Sequence, residues 1–465
     1  MVFPTITFAI FFAIVLPASW MLMRRRGTWK WFLLVASYVF YATADWRFSF
    51  LLAGLTVGNH VFAKAIHASD DDRRRKLLVR TAVVLDLLTL GVFKYYGFFV
   101  EQVDAAMEGV GLGAPLPVFA IALPIGISFI TFHAISYVVD VHRRQLEPPT
   151  LLDLSLYISF FPHLVAGPIV RASEFLPQLR APRDPRRVAV GAAMILIVLG
   201  LFKKVVVADT LAREVVDPVF AVPEAFAGAD VMLALYAYAV QVYCDFSGYT
   251  DMAIGIALLM GLTFPQNFDR PFGARSIGDL WRRWHITLSR FVRDYVYVPL
   301  GGNRKGPARG ALNLWLMMVV VGIWHGATWG FVVFGAMHGT WMVVERLAGD
   351  RVTWRPPGWL ATTAVVSFFA LSAVPFRTPD FDLQLALFSQ LAAAGPATLW
   401  EPVVVLMTFG VILSHSLPTA PARRLRLRLA ALPVPALSAG LAATILVVAA
   451  TIPSQGVPPF IYFQF

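Results

Sequence analysis

The stretch "ALNLWLMMVVVGIWHGATWGF" (residues 311–331) decides how the rest of the chain is read. Its first half is apolar enough to lie in a bilayer. A backbone in hydrocarbon must satisfy its own N–H and C=O groups, so such a run is expected to be helical. At its foot stands His325, between Trp324 and Gly326, with Trp329 four residues on. An imidazole in that position needs a reason.

Similar apolar runs recur along the chain, near 3–23, 31–44, 48–66, 77–93, 117–139, 188–208, 230–258, 311–325, 328–346, 357–375, 402–418 and 434–452. A full crossing takes about 20 residues, so the shorter runs would be tilted, paired or incompletely crossing. The run "LSLYISFFPHLVAGPIV" (154–170) is broken by Pro162, Gly167 and Pro168. It is expected to be re-entrant or interfacial, because broken backbone at membrane depth must be covered by protein or face water. The fold class that follows is an all-α polytopic membrane protein.

Composition agrees. Of 465 residues, 58% are hydrophobic and 14% charged, against about 25% charged in a soluble domain. The net charge of +11 does not point to nucleic acid, because the basic residues collect in short loops, where they set topology. With the N-terminus outside, the cytoplasmic segments include 24–26, 73–76, 143–144, 171–187, 263–310 and 423–428. The segments 45–47, 101–116, 211–229 and 376–401 fall outside and are less basic, as the positive-inside rule requires. Both termini are then extracytoplasmic. The first run has no charged segment before it and reads as a retained span, not a cleaved signal. Cys244, the single cysteine, cannot form an intramolecular disulfide and reads as a packing residue; no Cys/His spacing suggests a metal site.

The longest polar insertion is 263–310. From Ser276, a plausible N-cap, it reads as one amphipathic helix of interfacial type. Trp281, Trp284, Leu288 and Phe291 would lie at headgroup depth, with Arg282, Arg283, Arg290 and Arg293 elsewhere around it. Pro299, Gly301 and Gly302 would end it.

Of the nine histidines, most read as packing or solvated residues. His60, His67 and His142 would be solvated, His415 interfacial, and His338, in "GAMHGT", helix-packing glue. His133 would face inward and His163, in the broken run, would line a cavity. His285, in the amphipathic loop helix between Trp284 and Thr287, and His325 stand apart; Gly326 would let a substrate or another backbone approach. In apolar surroundings an imidazole stays neutral and is free to take a proton from a hydroxyl, which suits acyl transfer. No Gly-x-Ser-x-Gly elbow, P-loop or dinucleotide fingerprint is present. Buried acids need partners, so the patch Asp245, Ser247, Tyr249, Asp251 is expected to pair with a basic residue as a structural network; Asp294, with Arg293 and Tyr297, would hold the loop helix. Lys203 and Lys204 would snorkel.

Three stretches carry a resemblance: "QVYCDFSGYTDMAIGIALLMGLTFPQNFDRPF" (241–272), "DLWRRWHITLSRFVRDYVYVPLGGNRKG" (279–306) and "GIWHGATWGFVVFGAMHG" (322–339). With "LPIGISFITFHAISYVVDVHRR" (123–144), "FFPHLVAGPIVR" (160–171) and "GLFKKVVVADTLA" (200–212), they resemble the membrane-bound O-acyltransferase (MBOAT) superfamily, and within it the branch of bacterial alginate O-acetyltransferase membrane subunits. The resemblance implies one integral-membrane domain over 1–465, with a family core of about 90–345 and less typical C-terminal helices over 357–465. It implies a ring of about 11–12 transmembrane helices around a central tunnel. The catalytic histidine carries over to His325 and the second histidine to His285. Cys244 stands where the branch more often has an aromatic residue.

The implied function is movement of an acetyl group from a cytoplasmic donor, acetyl-CoA, to an extracytoplasmic polysaccharide, in the bacterial inner membrane. No bound cofactor is implied beyond that donor substrate. The implied partners are an extracytoplasmic SGNH-type acetyltransferase and the polysaccharide synthesis and export machinery. Arg282, Arg283, Trp284, Arg290, Asn303, Arg304, Lys305, Trp324 and His163 are the candidates for holding donor or acceptor; the basic ones would equally anchor the loop to anionic headgroups. Three rivals stay open: acyl transfer to a teichoic-acid-type polymer, a proton-coupled transporter, and a non-catalytic scaffold of a secretion complex.

Overall fold

The computed structural model describes residues 1, 3–111, 119, 121–349, 356–451 and 460. Among them every regular element is helical. Four helices are long and apolar enough to cross a membrane: Phe48–Ala68, Val190–Ala221, Pro307–His325 and Gly358–Arg377. Ile6–Leu22, Ile127–His142 and Pro402–Ser414 are apolar but shorter. Ile6–Leu22 shows what the outer faces meet. It buries Phe8 and Val15 and exposes Ile10 and Ile14 at 59% and 67%. A soluble surface does not carry such stripes, whereas lipid accepts them. The chain is an all-α polytopic membrane protein.

It divides into two compact units, Met1–Ala189 with Ile256–Pro265, and Val190–Gly255 with Gln266–Phe465. In the first, Asp71 and Thr150 cap the helices Asp72–Leu90 and Leu151–Ser159 by accepting the N–H groups of Arg73 and Asp153. The broken run 154–170 forms the end of Leu151–Ser159, a single turn Phe161–Leu164 and extended chain. Nearly every residue from Leu156 to Val170 is buried, so protein covers the break. His163 lies in that turn, wholly buried, with Nε2 donating to the Tyr157 carbonyl at 2.7 Å and its ring 4.5 Å from that of His133. His133 does face inward. His60 is buried rather than solvated, because it sits on the packed face of Phe48–Ala68 with Leu52, Thr56 and Asn59.

In the second unit the helices Pro307–His325 and Trp329–Ala348 pack closely. A Cβ on Gly335 would stand 2.5 Å from the Met318 carbonyl oxygen, so only glycine lets the two backbones approach there. The helix Gly228–Leu259 carries the acids of "DFSGYTD". Lys204 Nζ meets Asp245 at 2.7 Å and Asp209 at 2.6 Å, and Lys203 meets Asp251 at 2.6 Å. The acids are paired as expected. The two lysines do not snorkel: the π-helical turn Phe202–Ala208 presents both to carboxylates, and pairing in low dielectric outweighs reaching for water.

Some segments depart from the sequence reading. Of 101–116, residues up to 109 continue the helix Tyr96–Gly109, while 112–116 lie outside the described residues. The expected span 117–139 is the helix Ile127–His142, with 117, 118 and 120 outside the described residues. The expected span 434–452 is the helix Val434–Thr451, with 452 outside them. The main departure is in the loop. From Ser276 there are two short helices, Ile277–Arg283 and Ile286–Val292, not one. Ser276 is the N-cap, accepting the Asp279 N–H at 2.9 Å. Between the helices His285 takes a left-handed backbone, φ 41° and ψ 54°. Trp281, Trp284, Leu288 and Phe291 are at most 6% exposed. They are core, not headgroup anchors, because the break lets Ile277–Arg283 pack on Trp329–Ala348 and Ile286–Val292 fold back against Ile277–Arg283.

Candidate active site

His285 is positioned by the break and by Asn267. The left-handed backbone is strained for a residue with a Cβ, by about 1–2 kcal/mol. The loop is tied at this point. The Ile286 N–H donates to the Asn267 carbonyl at 2.9 Å. Asn267 Oδ1 accepts from the Thr287 N–H at 3.2 Å and the Thr287 hydroxyl at 2.8 Å. It also lies 3.1 Å from His285 Nδ1. A carbonyl oxygen only accepts, so the network assigns the proton of His285 to Nδ1. Nε2 then carries a lone pair, is buried, and has no hydrogen-bond partner among the described residues. Burial pushes the His285 imidazole down to about 3, so the ring is neutral at pH 7.

His325 ends the helix Pro307–His325 and is 4% exposed. Its ring lies 4.9 Å from that of Trp324 and 5.0 Å from that of Phe376. The ring of His285 lies 5.9 Å from the same Trp324 indole and 4.7 Å from Phe246. Two histidines 40 residues apart in sequence therefore pack on one tryptophan. At Gly326 a Cβ would stand 2.0 Å from the Phe331 ring, so the missing side chain makes room for that ring beside His325.

A cavity of about 480 Å³ lies in the same unit. Trp281, Ile286 and Met318 line it, with Arg282, Arg290 and Arg293 among its polar residues. Trp281 leads from it towards His325 through one aromatic layer. Its ring is 6.4 Å from Phe334, and Phe334 is 6.1 Å from His325. His338 holds this tryptophan: its Nδ1 accepts the Trp281 indole N–H at 3.2 Å, so its Nε2 donates to the Ser372 hydroxyl at 2.9 Å. The expected role as packing glue is what it does.

The other sequence candidates sort by their partners. Arg282 and Arg290 line the cavity, and Arg282 is 3.8 Å from Asp279. Arg283 pairs with Asp279 at 3.0 Å. Trp284 is packed between Phe268 and Phe369. Asn303 accepts from the Tyr297 hydroxyl, and Arg304 donates to the carbonyl of Val298 at 3.0 Å, so both brace the loop; the Lys305 stem lies over Gly301. Asp294 pairs with its neighbour Arg293 at 2.7 Å. His163 belongs to the first unit and packs there with His133 and Phe264. His415, expected at an interface, is buried, because its Nδ1 accepts the Phe272 N–H at 3.2 Å. The residue missed from sequence is Asn267. It stands in "PQNFDRPF", inside one of the resembling stretches, but nothing in its spacing ties it to His285.

A model of the membrane-bound O-acyltransferase family matches residues 28–371. A protein of Azotobacter vinelandii named probable alginate O-acetylase AlgI is 36% identical, over 93% of this chain and 94% of its own length. The Pseudomonas aeruginosa protein of the same name is 39% identical, over 79% of this chain and 71% of its own. The peptidoglycan O-acetyltransferase of Helicobacter pylori is 34% identical, over 80% and 75%. The chain belongs to the membrane-bound O-acyltransferase family and is an O-acyltransferase.

Proposed function

We propose, from that membership, that the chain moves an acetyl group from cytoplasmic acetyl-CoA towards an extracytoplasmic polysaccharide such as alginate, with His325 as general base. The observation that carries this reading is the packing of His285 and His325 on one indole, both buried, with Ile286, the residue after His285, lining a cavity that arginines also line; neither histidine lines that cavity itself. The names of the relatives support acetyl as the group and a polysaccharide as the acceptor.

In this reading Arg282 and Arg290 meet the phosphates of the donor, since guanidinium forks suit phosphate oxygens. The acceptor hydroxyl attacks the thioester carbonyl carbon as His325 takes its proton. The C–S bond then breaks, and the leaving sulfur recovers the proton from the imidazolium, giving the ester and the free thiol. A positioned base of this kind is worth roughly 10²–10⁴ in rate. The tautomer of His285 narrows its part. With Nδ1–H committed to Asn267, Nε2 accepts; it does not donate to a carbonyl oxygen. His285 therefore binds a second polar group of the acceptor or an amide N–H of the donor arm, rather than polarising the thioester.

The setting proposed is the bacterial inner membrane, with loop 263–310 on the cytoplasmic side, where CoA is found, and both termini outside. An extracytoplasmic SGNH-type acetyltransferase would complete transfer to the polymer together with the synthesis and export machinery. The test is polymer acetylation in cells carrying His325→Ala and His285→Ala proteins that still insert at wild-type level. Loss in the first variant is expected; undiminished acetylation there overturns the assignment of the base.

A further inference from the structure

A second and larger cavity, about 940 Å³, opens in the same unit and has no part in the site above. Its walls are the first turns of the helix Gly358–Arg377 and the last turns of Pro402–Ser414. Trp359, Val366, Phe409 and Leu413 make them apolar. Trp359 is 72% exposed and Leu413 65%; Gly358–Arg377 is long and apolar enough to cross a membrane, and Pro402–Ser414 is a shorter apolar helix. On a membrane protein such an exposed apolar groove suits lipid, and an exposed tryptophan at the start of an apolar helix suits the interfacial belt.

One end is different. Arg270, Arg275 and Arg283 all line it, with Asp279 as the acid among them. Asp279 holds Arg283 at 3.0 Å. Arg270, in a left-handed backbone at φ 48°, donates to the Leu417 carbonyl at 3.3 Å, which fixes its guanidinium at the mouth of the groove, with the exposed Asp269 carboxylate 3.6 Å from it. Arg275 is exposed, and its guanidinium lies against Gly358, 3.0 Å from where a Cβ would be. A side chain at that position would displace it. Gly358 and Trp359 are also the first residues of a 20-residue helix, whose end favours negative charge. The chain leaving the groove enters the helix Thr419–Ala430, which carries Arg423, Arg424, Arg426 and Arg428. Basic segments of this kind mark the level of anionic headgroups.

We propose that this groove is a binding site for an anionic glycerophospholipid of the leaflet bordering loop 263–310. The phosphate sits among Arg270, Arg275 and Arg283, and an acyl chain lies between Gly358–Arg377 and Pro402–Ser414. Charge complementarity names the headgroup, and the lipid-open apolar walls name the tail. A soluble phosphate ester such as CoA would satisfy the arginines but leave the apolar length of the groove uncovered. The site is separate from His325 and does not depend on which residue is the base.

The experiment uses the full chain, purified in mild detergent and equilibrated with an equimolar mixture of phosphatidylglycerol and phosphatidylcholine. Lipids retained per protein are counted by native mass spectrometry. The wild-type chain is expected to retain one phosphatidylglycerol in preference to phosphatidylcholine. Arg275→Gln should lower that preference about fivefold, and Arg270→Gln with Arg275→Gln by more than tenfold, at about one surface-charge contribution per arginine. Thr362→Trp fills the groove while leaving the arginines in place, so it should expel the lipid even if the double variant folds poorly. Equal retention of both lipids by the wild-type chain overturns the proposal. So does an undiminished preference in Arg275→Gln and Thr362→Trp. Displacement of phosphatidylglycerol by added acetyl-CoA overturns it too, and gives the groove to the donor.

Discussion

Two buried polar groups of the second unit make opposite use of the same environment. Around Lys204, charge closes on itself: one ammonium meets Asp209 at 2.6 Å and Asp245 at 2.7 Å, and the side chains are at most 6% exposed. Around His285 the network stops short. Asn267 takes Nδ1–H, and Nε2 is left with a lone pair and no partner among the described residues. A buried pair is retained because breaking it is worse than keeping it. A buried acceptor that the fold itself does not satisfy has room for a water, an ion or a substrate. Both look alike in sequence, as polar residues in apolar surroundings. The partner, not the burial, separates structure from chemistry.

The sharpest way to break the comparison is at the proposed base, His325, which packs on the same indole as the open His285. His325→Ala should reduce acetyl transfer roughly 10²–10⁴-fold without loss of inserted protein, measured as acetyl groups per polymer at equal protein level. If activity and protein level fall together, the site is structural in the same way as the lysine. The closed group should do the reverse. Lys204→Met leaves two buried carboxylates without their cation and should destabilise by about 3–5 kcal/mol, seen as loss of monodisperse protein in detergent. Adding Asp209→Asn and Asp245→Asn should restore much of the yield.

Asn267→Ala tests the link between the two kinds of role. It removes the acceptor that assigns the His285 tautomer, and turnover should fall about tenfold, with a smaller effect on yield. Asn267→Asp keeps the acceptor and should recover part of the rate. A smaller effect follows from pH. His285 stands near 3 in the folded chain against about 6.5 unfolded, so the unfolded chain binds more protons between those values. Its contribution is whole above about pH 6.5 and is lost as pH falls towards 3, by at most about 1.4 kcal/mol per pH unit. His285→Asn should flatten that limb of a thermal-unfolding profile recorded from pH 7 to pH 5. The smallest change is expected for Arg282→Gln. This side chain is 73% exposed, so the apparent KM for acetyl-CoA should rise only a few-fold.

Much of the fold is legible in the sequence, because lipid imposes a simple rule. A backbone in hydrocarbon must be helical, so apolar length alone places Pro307–His325 and Gly358–Arg377 within a few residues. The loop 263–310 is not legible in the same way. Its aromatic spacing suits a single interfacial helix, and only the left-handed residue at His285 breaks it and sends Trp281 and Trp284 into the core. Periodicity describes a helix only while the helix continues.

The sequence by itself determined a polytopic helical protein, the pairing of its buried acids with some base, and, through ordered motifs, the two histidines worth testing. Each of these depends on residue type and local spacing. The tertiary structure alone decided which lysine meets which carboxylate, that His285 and His325 share the indole of Trp324, and that Asn267 holds the proton of His285 on Nδ1. The pairs Asn267–His285, His285–Trp324, Lys204–Asp245 and Lys203–Asp251 join residues 18 to 48 positions apart, and no local rule of spacing reaches across a change of chain direction. The solvent fixes the helices, and packing between them fixes the chemistry.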